Sequence, residues 1–172
     1  MKTTLCLVVL IIAVIVLIVG FRGGETAPEI SLLDAINQGD LGLVKQHIDA
    51  GTDPNKIFIP EGARYFEGAS ALHLAIFNGN EEIVAVLLTS GVDVDIRADD
   101  AAAGTALHWA AFWGLSEMAS LLIEAGADVN AIDNGRCTPL CAATADNPFL
   151  DSTEFNLGRT RVRVLLESSG AQ

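Results

Sequence analysis

The chain has 172 residues, of which 51% are hydrophobic, and its 22 acidic and 10 basic residues give a formal net charge of −12. Because every acidic residue lies after position 24, the folded part of the chain repels phosphate backbones, and we expect no nucleic-acid partner. The length suits one domain behind a short N-terminal segment.

An apolar run, residues 5–21, follows Lys2 near the amino terminus. It lies at the short end of the range for a single-pass transmembrane helix and just above the length of a signal-peptide core. We expect residues 1–22 to form an uncleaved hydrophobic helix and signal anchor, since the best cleavage site, Ala27, is followed by Pro28. The alternatives are a cleaved signal peptide, which gives a secreted protein, and a buried apolar helix. The positive charge before the run predicts a domain on the extracytoplasmic side.

A short polar linker, residues 23–27, precedes a domain that is predicted over residues 28–172. The pattern of this domain is a pair of short helices that recurs four times. The four units cover residues 28–60, 68–100, 103–133 and 136–172. Helices this short are marginal alone, so each pair is expected to pack on its neighbours in an all-α stack.

The first unit is the most degenerate copy. Residues 30–36 and the turn that begins at Gly51 both lie 40 residues before their counterparts in the second unit. The next two units are only 35 residues apart, so the loop that joins units one and two is overlong. We name this segment, residues 56–66, the finger loop, and we expect any strand content to be limited to it.

The second and third units share one pattern. Residues 70–75 read Ser-Ala-Leu-His-Leu-Ala, and residues 105–110 read Thr-Ala-Leu-His-Trp-Ala. Thr105 is a good helix N-cap, and apolar residues follow it at the i, i+3, i+4 spacing of one helix face. Glycines, which adopt positive φ readily, end the predicted helices at Gly79, Gly91, Gly114 and Gly126.

The fourth unit contains an insertion. Its first landmark, Thr138, lies 33 residues after Thr105, whereas its closing Gly170 lies 44 residues after Gly126, which leaves 11 extra residues. We predict that these residues, 146–156, form an irregular loop between the last two helices, and we assign them no task.

Three arginines follow the insertion at positions 159, 161 and 163. We predict that they lie on a solvated helix face rather than in an anion site. Arg163 can pair with Glu167 at the i, i+4 spacing, which neutralises part of the cluster.

The recurring units resemble ankyrin repeats, whose period is about 33 residues and whose signature is T-P-L-H-x-A. The signature appears as Ser-Ala-Leu-His from Ser70, Thr-Ala-Leu-His from Thr105 and Thr-Pro-Leu-Cys from Thr138, and Gly-Ala-Asp-Val-Asn begins at Gly126. Two copies lack the proline, and the last has cysteine for histidine. The resemblance covers residues 28–172 and implies an ankyrin-like α-solenoid of four helix-turn-helix repeats with hairpin-like connecting loops. The first and last repeats are atypical, as is usual for repeats that expose one face to water.

The resemblance implies a structural role for His73 and His108, because the histidine of the signature joins adjacent loops by hydrogen bonds in this family. His47 stands alone in an outer helix and is predicted to be a surface residue. The acidic turn within residues 93–100 lacks the ligand spacing of an EF-hand loop. We therefore predict no catalytic residue, no metal and no cofactor.

Two cysteines, Cys137 and Cys141, flank the start of a predicted helix. A pair placed between a loop and a first helical turn seldom has disulfide geometry. We expect two buried free thiols, with a bridge as the alternative if the domain is exported.

The resemblance also implies where a partner binds. In ankyrin-like stacks, partners contact the turn tips and the residues just before the glycine that ends each first helix, on the concave side. The predicted partner-binding residues of this chain, including four from the finger loop, are Phe58, Arg64, Tyr65, Phe66, Phe77, Asn78, Phe112 and Trp113. An aromatic patch of this kind is typical of a protein-binding surface. The alternative is that the finger loop folds over Phe77 and Phe112 and buries them. Trp109 is expected in the core between repeats.

The sequence thus predicts a monomeric, membrane-tethered and non-enzymatic module that binds another protein through its concave face and extended loops. One alternative is a secreted ligand or inhibitor. A second alternative is an enzyme completed by a partner chain, which no set of nucleophile, base and orienting residue in the sequence supports. The fold does not identify the partner.

Overall fold

A computed structural model describes residues 28–57, 68–145 and 152–172. These ranges contain eight helices in four consecutive pairs. In chain order they are α1 (Leu32–Gln38), α2 (Leu41–Asp49), α3 (Ala71–Phe77), α4 (Glu81–Thr89), α5 (Ala106–Trp113), α6 (Ser116–Glu124), α7 (Pro139–Thr144) and α8 (Thr153–Ser168). The apolar run, the linker, most of the finger loop and residues 146–151 lie outside the described residues.

The described residues confirm the prediction of an all-α solenoid. They form no strand, and their one isolated β-bridge joins Arg97 to Thr105, between the second and third pairs. The first helices of the pairs (α1, α3, α5 and α7) pack on one another in sequence, and so do the second helices (α2, α4, α6 and α8). We call these two layers the inner and outer helices.

The core runs continuously between the two layers. Its largest fully buried side chains include Ile36, Leu72 and Ile76 on inner helices and Ile83 and Leu122 on outer helices. All of them point into one contiguous cluster that extends from α1 to α8. Because each short helix buries its apolar face only against neighbours, the stack is stabilised by contacts between pairs.

A ladder of hydrogen bonds joins the turns that close successive pairs. In each rung, the acceptor is the side-chain oxygen of the residue four positions after one closing glycine. The donor is the backbone N–H of the residue two positions after the next closing glycine. The rungs are Asp93 N to Asn55 Oδ1 (2.8 Å), Asp128 N to Asp95 Oδ1 (3.0 Å) and Gln172 N to Asn130 Oδ1 (2.8 Å). The ladder therefore continues into the last pair, whose closing glycine has φ +91°.

The last outer helix differs from the other three. It has 16 residues, whereas α2, α4 and α6 have nine each, and the extra residues lie at its N-terminal end. The predicted irregular loop is therefore wrong for residues 153–156, which are helical. Ser152 makes this start possible, because its hydroxyl accepts from the N–H of Phe155 as an N-cap.

The extra turns of α8 pack against the end of α5. A Cβ on Gly158 would lie 2.4 Å from the carbonyl oxygen of Gly114, and a Cβ on Gly114 would lie 2.8 Å from the backbone nitrogen of Arg159. Gly114 also has φ +68° as the C-cap of α5. Only two glycines allow the backbones to approach this closely.

His47 corrects a second prediction, because it is buried rather than at the surface. Its Nε2 donates to the carbonyl oxygen of Ile30 at 2.7 Å, and the hydroxyl of Thr52 lies 3.1 Å from its Nδ1. The ring therefore joins the outer helix α2 to the segment that enters α1. No second polar residue at a fixed spacing from His47 indicates this hydrogen-bonding role, so the sequence alone did not predict it.

No helix among the described residues is both long enough and apolar enough to cross a membrane. The apolar run at residues 5–21 lies outside the described ranges.

Candidate partner-binding site

The two signature histidines hold the loops that frame the site. His73 is fully buried; its Nε2 donates to the carbonyl oxygen of Gly104 at 3.1 Å, and the Ser70 hydroxyl lies 2.8 Å from its Nδ1. His108 repeats this arrangement one unit later, with Nε2 3.0 Å from the carbonyl oxygen of Cys137 and Nδ1 accepting from the N–H of Thr105. Each ring thus joins one inner helix to the loop of the next unit.

Burial keeps both rings neutral. It lowers the pKa of His73 to about 4, although the hydrogen bond to Gly104 and the nearby charge of Asp100 act in the opposite direction. Burial also lowers the pKa of His108, against the effects of the Cys137 carbonyl and of Asp133. Desolvation disfavours the charged form of an imidazole, which explains the direction of both shifts. At neutral pH the histidines therefore do not neutralise the two carboxylates beside them.

A pocket of about 320 Å³ opens between the inner helices and the loop tips. We call it the inner-groove pocket. It is lined by Phe77, Asp100, Ala102, Gly104, His108, Trp109, Phe112, Trp113, Asp133 and Ala142. Side chains of α3, α5 and α7 meet there, so the pocket exists only because three successive pairs are stacked.

Aromatic rings form the main apolar surface of the pocket. Trp113 packs edge to face with Phe77 at a centroid distance of 5.6 Å and with Phe112 at 5.2 Å. Trp109 makes a similar contact with the ring of His73 at 5.1 Å. Phe112, Trp113 and Trp109 are half-buried, and Phe77 is 38% exposed. The rings therefore hold one another in place while part of their surface stays open to a ligand.

Two half-buried carboxylates complete the pocket. One oxygen of Asp100 accepts from the N–H of Ala103 at 2.6 Å, and one oxygen of Asp133 accepts from the N–H of Cys137 at 2.8 Å. These bonds fix the side chains against the loops. Among the described residues, the one salt bridge is Arg163 to Glu167, so neither carboxylate is paired with a cation there.

The predicted partner-binding residues separate into three groups. Phe77, Phe112 and Trp113 line the inner-groove pocket. Asn78 does not: its side-chain amide donates to the side chain of Asn37 at 3.2 Å and so joins α3 to α1. Phe58, Arg64, Tyr65 and Phe66 lie outside the described residues, so the prediction for them, and the alternative of a folded-over finger loop, stay open.

Trp109 packs against the core between repeats, and it also forms part of the wall of the pocket. It is half-buried, because the inner-helix face that carries it borders the groove as well as the neighbouring α3. The sequence also missed Asp100 and Asp133 as site residues. Their position in the turn before each signature was the available signal, but turn acids are common on a chain this acidic.

The disulfide between Cys137 and Cys141 corrects the prediction of two buried free thiols. The Cα atoms are 5.4 Å apart, and Cys141 is exposed while Cys137 is half-buried. Thr138 is the N-cap of α7, so the chain turns at that residue and brings the third helical residue back towards the one before the cap. This turn places a pair four residues apart within disulfide range.

Arg159 also departs from its prediction as a solvated residue. Its guanidinium is half-buried, donates to the carbonyl oxygen of Ala143 at 2.9 Å and to that of Ala145, and lies over the ring of Phe155. It thus satisfies carbonyl groups at the end of α7, which a helix end leaves unpaired. Arg163 and Glu167 do pair, at 3.8 Å.

No cluster of histidine, cysteine, aspartate or glutamate in the described parts of the chain could hold a metal ion.

Comparison with known proteins identifies the family. A family model for ankyrin repeats in three copies matches residues 32–133, which is more than half of the chain. The inactive serine/threonine-protein kinase TEX14 of Mus musculus is 36% identical over 70 residues, which are 41% of this chain and 4% of that protein. The chain thus spans only a small fraction of this relative. The signature histidines, the stacked helix pairs and the family match together show that this chain belongs to the ankyrin repeat family.

Proposed function

We propose that this ankyrin repeat protein is a non-enzymatic module that binds another protein through its inner groove, with the inner-groove pocket as the anchor point. The observation that carries the proposal is the pocket itself, whose lining combines four aromatic side chains with two carboxylates. Binding energy at protein interfaces is concentrated in such aromatic, well-packed sites.

The pocket is preorganised for binding. The edge-to-face contacts of Trp113 with Phe77 and Phe112 restrict the rings, and the histidine bonds restrict the loops that carry Asp100 and Asp133. A preorganised surface loses less conformational entropy on binding, which favours affinity.

We also propose that residues 136–172 form a fourth ankyrin repeat, although the matched family model ends at residue 133. Two features support this extension: α7 packs on α5 as the earlier inner helices pack on one another, and the turn ladder continues through Gln172.

For residues 5–21 we propose a membrane anchor that leaves the repeats on the extracytoplasmic side, with secretion after cleavage as the second candidate. The support is the apolar run and the lysine before it. An intact mass of the protein purified from its own cells that includes residues 1–22 is the expected result.

The binding proposal is tested with the full-length protein in non-ionic detergent. Wild type, Trp113→Ala and the matched control Val164→Ala, whose side chain is 57% exposed on α8 outside the pocket, are each used to capture proteins from an extract of the source cells. Affinity for a protein retained by the wild type is then measured. Trp113→Ala is expected to weaken binding by about 2 kcal/mol or more, and Val164→Ala by less than about 0.5 kcal/mol.

Equal retention of the same protein by all three proteins would place the binding surface elsewhere. Thermal melts of each variant separate lost contact from lost fold. A fall in melting temperature for Trp113→Ala as large as that of a core deletion would mean that the ring is mainly structural.

A further inference from the structure

We propose that the inner-groove pocket accepts a protonated basic side chain, of the lysine type, from an extended or looped segment of the partner. This inference rests on the proposed function, because it specifies which chemistry of partner the same pocket selects. The geometry supports it through two features of the same pocket: partly exposed aromatic side chains, and carboxylates that form no salt bridge among the described residues.

The aromatic surface suits both parts of a lysine side chain. A lysine stem is apolar and packs on rings, while an ammonium group close to the face of an indole or phenyl ring is attracted by the ring quadrupole. Phe112 and Trp113 both line the pocket and stand nearly perpendicular to each other, at 87°, so a guest contacts two rings of different orientation. The volume of about 320 Å³ is ample for one long side chain.

The carboxylates favour a cation over a neutral guest. Asp100 and Asp133 are half-buried in the lining, each uses one oxygen for a backbone N–H, and neither forms a salt bridge among the described residues. The nearby guanidinium of Arg97 donates instead to the carbonyl oxygens of Ala103 and Ile132. The imidazoles beside the two carboxylates are neutral, because burial lowers the pKa of both His73 and His108. An apolar guest would cover these carboxylates without pairing them, which is unfavourable, whereas an ammonium group would pair them.

The charge of the whole domain acts in the same direction. Residues 25–172 hold all 22 acidic residues of the chain and eight of its basic residues. An excess of this sign attracts a basic segment over a distance of about one Debye length and raises its association rate.

The protein offers its own probe of the pocket. Its two tryptophans, Trp109 and Trp113, both line the pocket, so the two indole N–H signals in an NMR spectrum of the full chain report on this site alone. Full-length protein labelled at tryptophan, in non-ionic detergent, is titrated with Nα-acetyl-lysine methylamide and, separately, with Nα-acetyl-norleucine methylamide. The two compounds share a backbone and a similar aliphatic chain and differ in the terminal charge.

The expected result is that both indole signals shift with the lysine compound and that its Kd is about tenfold lower than that of the norleucine compound. In Asp100→Asn/Asp133→Asn, the side-chain oxygens that accept from Ala103 and Cys137 are kept and the charges are removed. This variant is expected to bind both compounds equally. The control Asp99→Asn/Asp128→Asn makes the same change of net charge at exposed turn positions, and it is expected to keep most of the preference for lysine.

Three outcomes overturn the inference. If both compounds bind the wild type equally, the pocket is an apolar anchor, and the proposed function stands without the preference for a cation. If neither compound shifts the indoles, the pocket does not take a side chain of this kind, and the capture experiment with Trp113→Ala decides separately on the proposed function. If the lysine compound binds only after Arg64→Ala, the occupant of the pocket is a basic residue of this chain. A basic side chain of the partner is then not the occupant.

Discussion

The middle units and the last unit of the stack carry different residues at the fourth position of the signature, and these residues form different bonds. In the second and third pairs, the fourth residue of the signature is a histidine that donates to a carbonyl of the next unit. In the last pair the same position is Cys141, which is bonded to Cys137 of its own unit. A histidine at this position reaches forward to the loop of the next unit, whereas the cysteine closes a bond within its own unit.

The outer layer shows the same contrast. The outer helices of the first three pairs have nine residues each. The last outer helix adds about two turns, which pack on the end of α5 through Gly114 and Gly158. Arg159, at the same place, binds the carbonyl groups that end α7. The comparison teaches that the last pair makes, through its longer helix and its disulfide, contacts that the first three pairs do not make.

The largest expected effect comes from breaking the glycine contact of the last pair. Gly158→Ala is expected to lower the free energy of unfolding by about 3 kcal/mol, because the new Cβ would meet the backbone oxygen of Gly114 at 2.4 Å and no side chain can rotate away. Urea unfolding followed by far-UV circular dichroism measures this change.

Gly42→Ala is the matched control, since Gly42 is also inside an outer helix but faces only the side chain of Asp40, at 3.2 Å. Alanine favours a helix over glycine, so the free energy of unfolding is expected to stay level or to rise by up to about 1 kcal/mol. If the two variants change the free energy of unfolding by the same amount, the close contact of α8 with α5 is not present.

The second-largest effect is expected from acid, which should lower the stability of the middle of the stack. The pKa of His73 is lowered from 6.5 to about 4 in the folded protein, so the unfolded chain binds more protons between these two values. The stabilisation is complete above pH 6.5 and is lost as the pH falls towards 4. From this residue alone, unfolding at pH 5 is expected to require about 2 kcal/mol less than at pH 7.

The check is a pair of urea unfolding curves at the two pH values for wild type and His73→Ala. The variant is less stable at pH 7, because the carbonyl of Gly104 loses its donor, but its stability should depend less on pH. A pH dependence that is the same in both proteins would assign the effect to other groups.

The smallest of the three effects is expected from the disulfide. Cys137→Ser/Cys141→Ser is expected to lower the free energy of unfolding by about 1 to 2 kcal/mol, because the bridge closes a very short loop and so restricts the unfolded chain only slightly. Thermal unfolding of both proteins, with and without reductant, gives the change. Reductant should lower the melting temperature of the wild type and leave the variant unchanged; an equal response of both would show that the bridge does not form.

Much of the fold was open to prediction from the sequence. The spacing of the signatures and closing glycines predicted the helix pairs, because glycine and the capping residues act locally and need no knowledge of the neighbours. The signature also led to Phe77, Phe112 and Trp113, which line the pocket. Asn78 was predicted by the same rule and lies elsewhere, because its amide finds Asn37 on the preceding inner helix.

The departures share a physical reason. His47 and Arg159 each owe their position to backbone groups that are distant in sequence: the carbonyl of Ile30 and the carbonyls that end α7. A carbonyl group has the same identity at every residue, so the sequence carries no mark of which one will be free to accept.

The sequence by itself determined the repeat, its period, the helix ends and the acidic surface, since each depends on the type of residue and on short-range geometry. Only the tertiary structure decided that Trp109 borders a groove and that Asp100 and Asp133 stand beside it. The pocket needs inner helices from three pairs and loops held by two histidines, and such a site forms only once the pairs are stacked.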